Sequence, residues 1–283
     1  MDVKTLQGIP PWEWPPDAKE TIHKVLLDKR ADESDRLLAT ELASNIVVMD
    51  DEIAGSLLAI LRSSEEPERL RGRAAISLGP VLEMADTEEF DGEFDDPDAV
   101  PVTEQTFHNL KDSLHELYRD EKTPKELRRR ILEGSVRAPQ DWHRDAIQAA
   151  YSSGDKDWTL TAVFGMGWVH GFDDQIMEAL ESTDADIHRE AVVAAGNQEL
   201  DAAWPHVVAL VEDGSAPKPL LLAAIEAVGY IRPQEAGAVL IRLHNSTHDK
   251  EIAQAADEAI EMAEAMAGDG EDDDGEDAGG WVN

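Results

Sequence analysis

The chain contains no cysteine, which excludes disulfides, thiol nucleophiles and zinc sites built on thiolates. It also lacks any run approaching eighteen apolar residues, so nothing in it predicts a membrane-spanning helix. The opening Met-Asp-Val-Lys-Thr has no apolar core of signal-peptide length, and the expectation is a soluble, cytoplasmic protein. Positive charge is the third scarcity. Lys+Arg 25 stand against Asp+Glu 61, a net charge of −36. Such a field repels other polyanions, which argues against nucleic acid and anionic membrane as partners. The run Asp269 to Asp277 holds seven acids, so removing it still leaves −29 on the remainder, and the acidity belongs to the folded surface. Ten lysines and fifteen arginines supply the positive side. A Lys-poor, Asp/Glu-rich surface suits concentrated salt, so a salt-rich cytoplasm is one expectation. An ordinary acidic protein kept soluble by its charge is the other.

What is present is a period. Residues 123 to 243 carry a glycine at the same place in four helical hairpins, Gly134, Gly165, Gly196 and Gly229, at spacings of 31, 31 and 33. With 42% hydrophobic residues there is ample material for a core. Before the period, helices are predicted over 17 to 28, 32 to 45 and 51 to 62. Leu37, Leu38, Leu42 and Ala43 face inward on the second, and Ile53, Leu57, Leu58 and Leu61 on the third. A helix over 68 to 82 follows. Another, over 104 to 120, places Phe107, Leu110, Leu114 and Leu117 on one face, with Thr103 as its N-cap. Hairpins at 123 to 151, 155 to 181, 184 to 212 and 216 to 245, and a last helix from Lys250 to Met266, complete the pattern. The repeat glycines are expected to supply the left-handed conformation that ends a helix, while alanines such as Ala191, Ala194 and Ala195 allow close packing. One hairpin cannot bury both its faces, so the units are expected to stack.

Three segments break the pattern. Residues 1–19 include Ile9-Pro-Pro-Trp-Glu-Trp-Pro-Pro-Asp17, whose prolines forbid a helix and whose tryptophans point to opposite faces if the segment is extended. It reads as a cap over the open end of the stack or as a proline-rich docking peptide. The insertion at 86–101 packs eight acids between Asp86 and Asp98 around Phe90 and Phe94. A solvated loop, a partner-binding loop and a calcium site stay open there, although the ordered ligand spacing of a calcium loop is missing. The acidic tail, 268–283, reads as disordered.

The stretch Asp184-Ala-Asp-Ile-His-Arg-Glu-Ala-Val-Val-Ala-Ala-Gly196 resembles the D-x-x-V-R-x-x-A-x-x-A-L-G motif of HEAT repeats, in the short form grouped with phycobilin-lyase repeats. The resemblance covers roughly residues 20 to 266 and implies an all-α, right-handed α-solenoid of stacked antiparallel hairpins over 20–267. Trp158 departs from it, standing where the motif has arginine. Such repeats mostly build surfaces for protein partners, so the resemblance implies a non-enzymatic scaffold or adaptor. The alternative is a repeat enzyme of lyase or metal-dependent hydroxylase type. Deoxyhypusine hydroxylase, a related helical-repeat protein, binds iron through repeated His-Glu pairs, and this chain has only His115-Glu116. No cofactor or metal is expected. Gly165-Met-Gly-Trp-Val-His-Gly171 lacks the preceding strand of a phosphate loop.

The sharpest local deviation lies at Lys122 to Arg144, a window of charge +4 in this acidic chain. Arg128, Arg129, Arg130, Arg137, Trp142, His143 and Arg144 are the candidate partner-binding residues, because arginine and tryptophan are favoured interface anchors. The competing reading pairs these arginines with acids on neighbouring hairpins. Trp142 and Trp204, each eight residues after a repeat glycine, form an aromatic strip or are simply large core residues.

Overall fold

The computed structural model describes residues 2–87 and 100–269. Most of the acidic insertion and of the acidic tail lies outside the described residues. Every described element is helical, and the chain divides into two compact units, 1–146 and 147–283. No described helix is long and apolar enough to cross a membrane.

The first unit runs through α1 (Val3–Gln7), a short 3-10 turn (Pro11–Glu13), α2 (Ala18–Leu27), α3 (Glu33–Leu42), α4 (Asp51–Arg62), α5 (Glu68–Ser77), α6 (Gly79–Thr87), α7 (Glu104–Arg119) and α8 (Lys125–Ser135). It ends inside α9 (Asp141–Tyr151). Helices α1, α3, α5 and α8 pack one against the next, and α2, α4 and α7 form a second layer. The second unit holds α10 (Lys156–Met166), α11 (Asp173–Leu180), α12 (Ala185–Asn197), a 3-10 turn (Asp201–Ala203), α13 (Trp204–Asp213), α14 (Lys218–Ile231), α15 (Pro233–Ser246) and α16 (Lys250–Asp269). Here α10, α12, α14 and α16 make the continuous layer, with α13 and α15 side by side behind it.

Caps set the starts. Asp50, Asp155 and Asp184 each accept two backbone N–H groups of the turn they precede, and Thr103 accepts that of Thr106, as expected. The N-terminal segment adds a helix absent from the sequence reading. Asp2 caps α1, whose Val3 and Leu6 are buried, and Trp14 turns inward to donate from Nε1 to the Leu6 and Ile9 carbonyls at 3.0 and 2.9 Å. Trp12 points out and is 80% exposed. At the other end α16 turns Glu251, Asp257, Glu258, Glu261 and Glu264 to solvent, the polar outer face that a terminal repeat requires.

Two expectations are corrected. On α3 the buried residues are Arg36, Ala39 and Thr40, with Ala43 following, while Leu37, Leu38 and Leu42 are only half-buried. Arg36 earns its place by gripping Glu66 at 2.5 and 3.0 Å and donating to the Leu26 carbonyl at 3.1 Å. The second correction concerns the repeat glycines. They do sit near helix ends, but none has a positive φ; that conformation is taken by Gly154, Gly171 and Gly214. At Gly134 an added Cβ would lie 2.2 Å from the Ala75 carbonyl oxygen, and at Gly196 it would lie 3.0 Å from Cα of Ala227. Gly134 and Gly196 let consecutive helices of one layer touch backbone to backbone.

Candidate functional site

The basic window is spread by helical geometry. Consecutive residues on a helix point about 100° apart, so Arg128, Arg129 and Arg130 cannot share a face. Arg129 turns into the protein and is 5% exposed, with Glu126 at 2.7 Å and Glu133 at 3.7 Å. Arg128 is half-buried, its Nε atom buried without a hydrogen-bond partner, and its charge acts on Tyr118 of α7. Arg137 reaches back to Glu83 of α6 at 2.9 Å. Arg144 is exposed on α9. Arg130 pairs with Glu126 at 2.9 Å and Glu133 at 2.7 Å and remains open to solvent on the α5 side.

His143 is fully buried, and neither it nor Arg129 presents its side chain at the surface. His143 Nδ1 accepts the Gln140 backbone N–H at 2.8 Å, which assigns the imidazole proton to Nε2, 3.0 Å from Ser135 Oγ. This is the reciprocal half of a capping box, with imidazole in place of the usual carboxylate at the third position of α9. Burial pushes the His143 pKa down to about 3 and keeps the ring neutral. Trp142 lies flat on His115, with ring centroids 4.8 Å apart and planes at 3°, and tilts against Tyr118. It is the half-buried hinge of an α7–α9 aromatic cluster, while Trp204 in the second unit has the Arg232 guanidinium 5.3 Å above its ring.

What the window contributes to an open site is Arg130, and its partners come from another helix. A groove of about 510 Å³ runs between α5 and α8. Arg69 and Arg73 stand one turn apart on α5 along this groove, Arg130 lines it from α8, and Ile76 and Leu127 contribute apolar lining. Arg73 is 44% exposed and held only loosely, 3.8 Å from Glu41. Gly72 permits the approach, because a Cβ there would lie 3.2 Å from Cγ of Arg130. The sequence reading missed Arg69 and Arg73. Their i, i+4 spacing around a glycine was visible, but the neighbour that completes the set lies some sixty residues downstream. The second unit carries a groove of about 460 Å³ across α12, α14 and α16, lined by Val193, Leu222, Ala255 and Met262, with Arg189 beside Glu226 and Glu258.

Among the described residues, no three metal-ligating side chains converge. The glycine-rich stretch after Phe164 ends α10 at Met166 and turns at Gly171, whose φ is 90°.

No protein-family model matches the chain, and no curated protein matches it. Among solved structures it is similar to human deoxyhypusine hydroxylase in complex with glycerol, at 15% identity over 93% of this chain and 88% of that one, with a TM-score of 0.40. It is also similar to YibA of Escherichia coli, at 10% identity over 89% of this chain and 94% of that one, with a TM-score of 0.39. At that distance neither name transfers to this chain.

Proposed function

We propose that this chain is a HEAT-like repeat scaffold without catalytic chemistry of its own, and that its α5–α8 groove docks an acidic segment of a partner protein. The observation that carries the reading is Arg69, Arg73 and Arg130 outnumbering Glu68 and Glu126 along one groove, beside apolar Ile76 and Leu127, in a chain of net charge −36. Guanidinium forks grip carboxylates in bidentate pairs, and arginine is enriched among anchor residues. The acidic remainder of the surface opposes an acidic partner at long range. At physiological ionic strength that field is screened beyond about 8 Å, so the charges lining the groove decide the contact.

Fluorescence anisotropy with a labelled Glu/Asp-rich peptide tests this, with a Lys-rich peptide of equal length as the control. Saturable binding of the acidic peptide is expected, weakened roughly tenfold or more in Arg69→Glu/Arg73→Glu, since each charge-assisted pair contributes about 1.5–3 kcal/mol. Both residues are exposed on α5, so the variant keeps its helical circular dichroism. Equal affinity for both peptides, or no loss in the variant, refutes the reading.

A further inference from the structure

The two histidines of the α12–α13 hairpin confront each other nitrogen to nitrogen. His188 Nε2 and His206 Nε2 are 2.9 Å apart, with ring centroids at 5.1 Å and planes at 75°. Such a contact needs one N–H and one bare lone pair, since two N–H groups would collide. The partner of the other ring nitrogen decides which is which. His206 Nδ1 lies 3.7 Å from Glu181 Oε1, beyond hydrogen-bond length, so the carboxylate acts through its charge alone and favours the proton on Nδ1, with Nε2 of His206 as the acceptor. A single proton, on His188 Nε2, is then all that separates two converging lone pairs. On metal binding that proton moves through solvent to Nδ1 of the same ring, the other tautomer of neutral imidazole.

We propose that His188 and His206 chelate one borderline divalent cation of the zinc, nickel or copper class, with Glu181 orienting His206 from behind. Imidazole pairs select these metals over the hard cations that carboxylates prefer. Zn–N distances of about 2.05 Å at a tetrahedral angle place two ligand nitrogens about 3.3 Å apart, so the rings need only part by a few tenths of an ångström. Each histidine sits near the start of a regular helix, which fixes its backbone before any ion arrives. The arrangement of carboxylate, imidazole and metal is the one that commonly fixes the tautomer of a ligand histidine. His206 is 26% exposed and Glu181 81%, so water can complete the coordination shell and ions can enter. The acidic surface concentrates cations around the molecule.

The test is calorimetric titration of the full chain, stripped with chelator, using zinc chloride in the presence of excess magnesium. Magnesium occupies the acidic surface and does not compete for imidazole. One equivalent of zinc is expected to bind over the magnesium background and to be lost in His188→Gln and in His206→Gln. In Glu181→Gln it is expected to weaken roughly tenfold, as for other groups behind a ligand. With cobalt, the same stoichiometry is expected to give visible absorption bands that both histidine variants lack, a readout independent of heat. Zinc binding that persists in either histidine variant overturns the proposal, as does the absence of any binding above the magnesium background. Circular dichroism of each variant shows that it remains folded.

Discussion

Gly134 and Gly55 are both glycines inside helices, and their surroundings give them opposite roles. Replacing a helical glycine with alanine gains about 1 kcal/mol of helix propensity where space is open. Around Gly55 nothing lies within 4 Å, so Gly55→Ala is expected to raise stability by up to about 1 kcal/mol. At Gly134 the new methyl meets the Ala75 carbonyl oxygen at 2.2 Å, and backbone cannot step aside. Overpacking of this kind costs about 1–3 kcal/mol and outweighs the propensity gain, so Gly134→Ala is expected to be net destabilising in urea unfolding. His143 sets a second test at this scale. Its pKa is about 3 when folded against 6.5 for the free side chain, so the unfolded state takes up the proton first. Its contribution is complete above the unfolded value and is lost as pH falls from about 6.5 towards 3, at roughly 1.4 kcal/mol per pH unit. Unfolding free energies measured between pH 7 and about pH 5 are expected to fall less steeply in His143→Gln than in the parent. The sequence disclosed which residues recur, but not why. The spacing of Gly134, Gly196 and Gly229 was plain, whereas the choice between a left-handed turn and backbone contact depends on what the next helix brings to that point.

At the scale of the element, the hairpins are stapled by ion pairs separated by about one repeat. Lys156 reaches Asp184 at 2.6 Å, Lys218 reaches Asp249 at 2.9 Å, and Lys19 meets Asp50 in the first unit. Each of these aspartates also caps the next helix of its layer, so one carboxylate both starts a helix and joins it to its neighbour. The pairing with Lys156 and the cap hydrogen bonds hold the Asp184 carboxyl below its ordinary range. The ion pair is exposed and contributes little, so the cap dominates. Asp184→Ala is expected to lower the midpoint of thermal or urea unfolding, with Asp184→Asn recovering most of the loss because the amide oxygen still caps. Helix positions and hairpin pairing were legible because apolar periodicity and capping residues are local. The faces were less so. Arg36 is buried because Glu66 waits across the gap, and Leu37 and Leu38 yield the inside position to that pair.

At the scale of the whole molecule, charge decides what the surface can do. Sixty-one acids and twenty-five bases leave few places where guanidinium groups gather, and the α5–α8 groove gathers three. The run Arg128–Arg130 drew attention to α8, yet only Arg130 reaches the groove, and the other two arginines belong to a helix on the far side of the acidic insertion in sequence. A groove is a tertiary object, so its composition appears only once α5 and α8 lie side by side. The central claim is that this groove takes an acidic segment of another protein. It is tested most directly by a photoreactive amino acid in place of Glu68, which lines the groove without removing an arginine, with a control in place of exposed Ile241 on α15. Mass spectrometry of the crosslinked peptides is expected to return acid-rich segments from position 68 and not from position 241. The same adducts from both positions, or crosslinked segments without clustered carboxylates, would contradict the account.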